Sequence, residues 1–201
     1  MMLPTHALSG LLLGLPFLFV APEFASVALI AGLVGSVFPD FDLYTGHRKT
    51  LHYPVYYSVG GLVALGIAVG FPVTVTVATA LFLLGAALHS VADIFGGGLE
   101  LRPWENGSDH AVYDHYHGRW IAPRRVIRYD GSPKDLLGAV ILAVPSLLVL
   151  DGSFYRIIVG ILVIATVYTV IRRILPTLAT TAVSTIPPRL LPYVPARYFD
   201  G

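Results

Sequence analysis

"VTVTVATALFLLGAALHSVADIF", residues 73–95, runs for twenty-three positions with one formally charged residue, Asp93, near its end. A helix that crosses a bilayer needs about 20 predominantly apolar residues, and this stretch supplies them. Its last turns carry His89 and Asp93, four positions apart, so both side chains fall on one helical face. Ionisable groups near membrane depth are costly and normally face a bundle interior or a polar cavity. The stretch therefore predicts a membrane helix ending in a polar site, and Gly96 to Gly98 mark its stop.

The rest of the chain fits that reading. Of 201 residues, 55% are hydrophobic and 12% charged, against roughly 25% charged in soluble domains. Apolar segments fall at 7–22, 24–39, 54–71, 73–95, 136–150 and 154–171. The expected fold is all-α, a polytopic membrane helix bundle of about six apolar segments in three hairpins. Tight turns at 21–23, 71–72 and 151–153 alternate with long polar connections at 40–53 and 96–135. A membrane domain over 1–175 is then followed by a Pro-rich C-terminal tail, 176–201. Prolines in "TIPPRLLPYVPARYFDG" argue against a further helix there. The N-terminal apolar run lacks the preceding Lys or Arg of a signal peptide, so it reads as a retained membrane helix. Gly10 and Gly14, and again Gly66 and Gly70, have the G-x-x-x-G spacing that lets helices approach closely.

Charge gives the orientation. Of thirteen Lys and Arg, twelve fall on the side of the long connections: Arg48, Lys49, Arg102, Arg119, Arg124, Arg125, Arg128, Lys134, Arg172, Arg173, Arg189 and Arg197. Only Arg156 falls near the other side. The positive-inside rule makes the loop side, with both termini, cytoplasmic and the protein a multi-pass protein of the cell (plasma) membrane. A net charge of +1 carries no nucleic-acid signal. The absence of cysteine leaves only nitrogen and oxygen ligands for any metal.

Four segment ends deliver ionisable residues to one depth: His6 at the start of the first, Asp40 and Asp42 at the end of the second, His47 and His52 leading into the third, and His89 with Asp93 in the fourth. Imidazole and carboxylate donors suit a divalent metal, one or two ions, with zinc first and manganese or magnesium as alternatives. The expected ligands are His6, Asp40, Asp42, His52, His89 and Asp93. A metal there would lower the pKa of bound water toward about 7. His47 is the candidate proton carrier, and Arg48 the candidate holder of an anionic substrate group. The loop "ENGSDHAVYDHYHGRW" adds His110, His115 and His117, which read either as a second metal site or as solvated loop histidines. Arg119, Arg124, Arg125 and Arg128, with Trp120, suit anionic lipid headgroups as well.

"PTH", "PDFD", "HRKTLH" and "HSVAD", in that order, resemble the YdjM-like inner-membrane metal-dependent hydrolase family over residues 3–104. "LRPW" at 101–104 loosely resembles that family's L-W-P segment. Lys49, Leu51 and Tyr53 depart from its usual residues, and none of the three removes a candidate ligand. The resemblance implies metal binding and, by the family's name, a hydrolase. Metal beside arginine suits a phosphoester, because both stabilise charge developing on phosphoryl oxygens, and a site at headgroup depth on the cytoplasmic face favours a lipid or lipid-linked substrate. Two other readings share the same residues. One is a metal-binding or structural membrane protein without hydrolytic activity. The other is a transporter, against which the nearly charge-free far halves of the first four segments count.

Overall fold

A computed structural model of the chain describes residues 1–194; Arg197 and the end of the Pro-rich tail lie outside them. The fold is all-α. Its helices are α1 (Leu3–Gly14), α2 (Phe17–Val20), α3 (Ala25–Val37), α4 (Pro54–Gly70), α5 (Thr74–Ala92), α6 (Pro133–Val149), α7 (Gly152–Ile171) and α8 (Leu175–Ser184). Each of the six apolar segments therefore contains helix. Four stretches are long and apolar enough to cross a membrane: Leu3–Val20, Pro22–Asp42, Thr74–Phe95 and Gly152–Ile171. The helices of the other two apolar segments, α4 and α6, have 17 residues each.

Small residues set the packing. A Cβ placed on Gly10 of α1 would stand 2.2 Å from the carbonyl oxygen of Gly32 in α3, and one on Gly35 would stand 2.1 Å from that of Phe82 in α5. Backbones this close leave no room for a side chain, so α3 is clasped between α1 and α5. The two G-x-x-x-G motifs differ in kind. Gly10 and Gly14 lie at the α1–α3 contact, whereas Gly66 and Gly70 face open space. Helix α4 packs on α5, and α6 with α7 covers α1. Leu8, Leu11, Leu29 and Ile158 are buried in the seam this makes.

A buried acid fixes α6 against the start of α1. The Asp135 carboxylate accepts from Thr5 Oγ1 at 2.7 Å and from the backbone amides of Met2 at 2.7 Å and Gly131 at 2.9 Å. Its own amide donates to Ser132 Oγ, the N-cap of α6. Nearby, Arg172 at the end of α7 pairs through Nε and Nη2 with Asp130, which also accepts from the Tyr168 hydroxyl. The start of α6 and the end of α7 thus lie at the same end of the bundle as Thr5.

Two local features differ from the sequence reading. The polar connection 96–135 contains a two-stranded antiparallel hairpin, β1 (Val112–Asp114) and β2 (Arg119–Ile121). Three-residue strands are too short to give an alternation signal. The Asp114 carboxyl in its turn is held below the usual range: burial raises it, but hydrogen bonds from the His117 ring and the Tyr116 and His117 amides outweigh that. The stretch assigned to the tail opens with α8, where Pro176 occupies a first-turn position that needs no amide hydrogen.

Candidate metal centre

The end of α3 tightens into a 3-10 turn, Phe38–Asp42, which carries Asp40 and Asp42. In such a turn the partner of the Ser36 carbonyl would be the nitrogen of Pro39, which has no hydrogen. That carbonyl instead accepts from Nδ1 of His89, at 2.6 Å. His52, just ahead of α4, donates from Nδ1 to Asp42 Oδ2 at 3.0 Å. With Nδ1 of each ring against an oxygen acceptor, a neutral ring would present its lone pair at Nε2.

Those lone pairs meet. His52 Nε2 lies 3.2 Å from His89 Nε2. Asp40 Oδ1 is 3.4 Å from His89 Nε2 and 3.9 Å from His52 Nε2; Asp93 Oδ2 is 3.5 Å and 3.6 Å from the same two atoms. All four donor atoms lie within 4.8 Å of one another. His52, His89 and Asp93 are fully buried or nearly so. Four potential donor atoms facing one another, three of them on buried residues, are a set that one divalent cation would satisfy together. Donors bound to zinc at about 2.0–2.2 Å stand about 3.3–3.6 Å apart along the edges of a tetrahedron. The observed separations cluster around that range, so Asp40, His52, His89 and Asp93 fit a divalent ion.

The other predicted ligands touch this group without completing it. Asp42, predicted as a ligand, spends its oxygens elsewhere. Oδ2 accepts from His52 Nδ1 and the Leu51 amide at 3.0 Å, and Oδ1 from His47 Nδ1 at 3.0 Å and the Arg48 amide at 3.3 Å. It orients His52 by the carboxylate–imidazole pairing common beside protein-bound metals. His6, also predicted as a ligand, stacks on His89 with ring centroids 3.7 Å apart and contacts Asp93 Oδ1 through Nε2 at 3.1 Å. That leaves Asp93 Oδ2 facing the centre, and His6 Nδ1 buried without a hydrogen-bond partner. Asp42→Asn should therefore keep the ion but weaken it by the roughly 10–100-fold typical of losing an outer partner. Competition with a graded chelator series measures this, and a total loss of metal would instead place Asp42 among the ligands.

Arg48 and His47 flank the same group. Arg48 is buried, places Nε 3.3 Å from Asp93 Oδ2 and donates from Nη1 to the Gly97 carbonyl at 2.7 Å. Its backbone sits in the left-handed region, φ 60°, and its carbonyl accepts from the amide of Tyr113 in β1. The hairpin thus clamps the loop that carries both residues. His115 strengthens the clamp by donating to the Lys49 carbonyl at 2.7 Å, while Lys49 Nζ lies over the Tyr113 ring. The loop histidines disperse: His110 stacks on Trp120 and His117 binds Asp114. Among the described residues, only the Asp40 group gathers metal donors. Sequence reading missed the Ser36 carbonyl and the hairpin clamp, which carry no side-chain signature.

The centre opens on one side. A cavity of about 1100 Å³ has Asp40, Asp93, His47 and Arg48 among its lining residues. A second groove of about 520 Å³, between α3 and α5, is lined by apolar residues and threonines and holds no ionisable group.

No family model matches the chain, and no curated protein and no solved structure matches it.

Proposed function

We propose that the chain is an integral membrane metal-dependent hydrolase of the YdjM-like kind, acting at the cytoplasmic face on a phosphoester or lipid-linked substrate. The observation that carries this reading is the opening of the Asp40–Asp93 edge of the donor group into a large cavity beside His47 and Arg48. A zinc ion held by Asp40, His52, His89 and Asp93 would supply Lewis acidity to a phosphoryl oxygen. His47 holds its Nδ1 proton against Asp42, which leaves Nε2 to take up and return a proton at the cavity wall. Arg48 neutralises Asp93 and adds positive charge where a phosphate would lie.

Turnover of phosphoesters by the purified protein should depend on zinc or manganese and stop with a chelator. His47→Ala should keep the ion and slow turnover by roughly 10²–10⁴-fold, the usual worth of general acid–base assistance. One specific observation favours a second reading, a structural metal tie between helix ends: four protein donors suffice to fill a tetrahedral zinc shell. Protein that keeps its ion yet cleaves nothing in a broad phosphoester and lipid panel would decide for that tie.

We also read the six apolar segments as three membrane hairpins whose open ends face the cytoplasm. The contacts of Met2 and Thr5 with Asp135, and of Arg172 with Asp130, support a common end for them. Reporter fusions at Glu23, Gly107 and the C-terminus should report outside, inside and inside. An outside signal at Gly107 would reverse this orientation.

A further inference from the structure

The cavity beside the donor group has two chemically distinct ends. One is the polar end already described. The other is formed by Ile157, Ile161 and Ile164 of α7, facing Leu33 and Val37 of α3. Those isoleucines are spaced i, i+4, i+7, a single helical face. Tyr168 continues the stripe at i+11, so it runs about 16 Å toward the loop end. The span that bears it, Gly152–Ile171, is the least buried of the four candidate membrane spans. An apolar trough in a lipid-facing helix therefore leads directly to the donor group.

Between the two ends the ionisable groups divide sharply. Asp130, Arg172 and the Tyr168 hydroxyl satisfy one another. Glu100 does not. Both of its carboxylate oxygens are buried and have no hydrogen-bond partner, yet the residue lines the cavity. It lies folded over Gly98, where a Cβ would stand 2.2 Å from Glu100 Oε2. A buried carboxylate without a donor is costly; its oxygens are turned onto Gly98 and away from the open cavity, so a head group meets them when the side chain turns outward.

We infer that the cavity binds a glycerophospholipid, with its phosphate at the Asp40–Asp93 edge beside Arg48, hydrogen-bond donors of its head group at Glu100, and an acyl chain along Ile157, Ile161 and Ile164. The inference rests on the hydrolase reading for what happens to the lipid, and on the cavity alone for its capture. Glu100 becomes a specificity-determining residue: it favours heads that carry hydroxyl or ammonium hydrogens over a trimethylated head that carries none.

The test uses the full, zinc-loaded chain in dioleoyl phosphatidylcholine nanodiscs containing a trace of phosphatidylglycerol with a diazirine on one acyl chain. After irradiation, adducts at Ile157, Ile161 and Ile164 should exceed those at Leu148, a bulk-lipid control on α6 that is 79% exposed, by at least about tenfold. Unlabelled phosphatidylglycerol or phosphatidylethanolamine should compete at least about tenfold better than phosphatidylcholine, and the two arms separate the hydroxyl source from the ammonium source. Glu100→Leu should shrink that preference to under about twofold. Ile161→Trp should suppress the α7 adducts, and Leu148→Trp should not. Adducts on α7 no stronger than at Leu148 would overturn the cavity assignment, and equal competition by phosphatidylcholine would overturn the role of Glu100. A protein that cleaves short phosphoesters but gives only background adducts refutes this inference alone. One that captures the lipid and cleaves nothing refutes the hydrolase reading and supports this inference.

Discussion

His89→Ala should leave the purified protein without its ion and without turnover. The residue contributes one of two nitrogens to the four-donor group, and its Nε2 has the shortest separations from the other three donors, 3.2–3.5 Å. Its removal leaves His52 and two carboxylates. It also takes away the ring on which His6 stacks and frees the Ser36 carbonyl in a buried place. Loss of an outer partner costs roughly 10–100-fold in affinity, and loss of a direct donor should exceed that. Elemental analysis after gel filtration reads the result. The helices should survive, because His89 lies at the last turn of α5 and the close α3–α5 approach is made by Gly32, Gly35 and Gly85, which the substitution leaves in place. Retention of a full equivalent of metal by this variant would remove His89 from the centre.

Gly35→Leu should prevent a stable bundle. Even the first atom of the new side chain would stand 2.1 Å from a backbone carbonyl of α5, and backbone cannot move aside as a flexible side chain can. Overpacking of cores typically costs about 1–3 kcal/mol, and a clash between two helix backbones should lie at or beyond the top of that range. Asp40 follows Gly35 by five residues, so a displaced α3 also pulls a donor from the centre. Gly66→Leu is the matched control: nothing lies within 4 Å of its Cβ position, and yield and melting temperature should stay near those of the parent. Equal behaviour of the two variants in detergent would contradict the close α3–α5 approach.

The contrast between those glycines shows what the sequence could and could not disclose. Both G-x-x-x-G pairs look alike on the page, and only the facing helix distinguishes Gly10 and Gly14 from Gly66 and Gly70. The apolar segments were legible because length and lack of charge are properties of a chain in lipid, whatever its neighbours. The gathering of His6, Asp40, His52, His89 and Asp93 was legible because each sits at an end of an apolar segment, and alternating tight and long connections bring those ends together. Which of these residues are donors to one centre was not. Asp40 and Asp42 are two residues apart in the same turn, yet one faces the centre and the other turns to His47, His52 and two amides. That choice depends on side-chain direction within a 3-10 turn, for which neither spacing nor composition gives a signal. Asp135 and Glu100 were hidden for a related reason. An acid at the start of a helix or in a polar loop reads as solvated, and only packing shows one tied to Thr5 and the other buried beside a cavity.

X-ray absorption at the zinc edge, on purified protein whose metal content has been counted, bears most directly on the centre. Asp40, His52, His89 and Asp93 predict about one ion per chain, with a shell of two imidazole nitrogens and carboxylate oxygens at about 2.0–2.2 Å. The imidazole signal should fall by half in His52→Ala if any ion remains. A protein that binds no divalent ion after reconstitution, or one whose shell contains no histidine, would contradict the account.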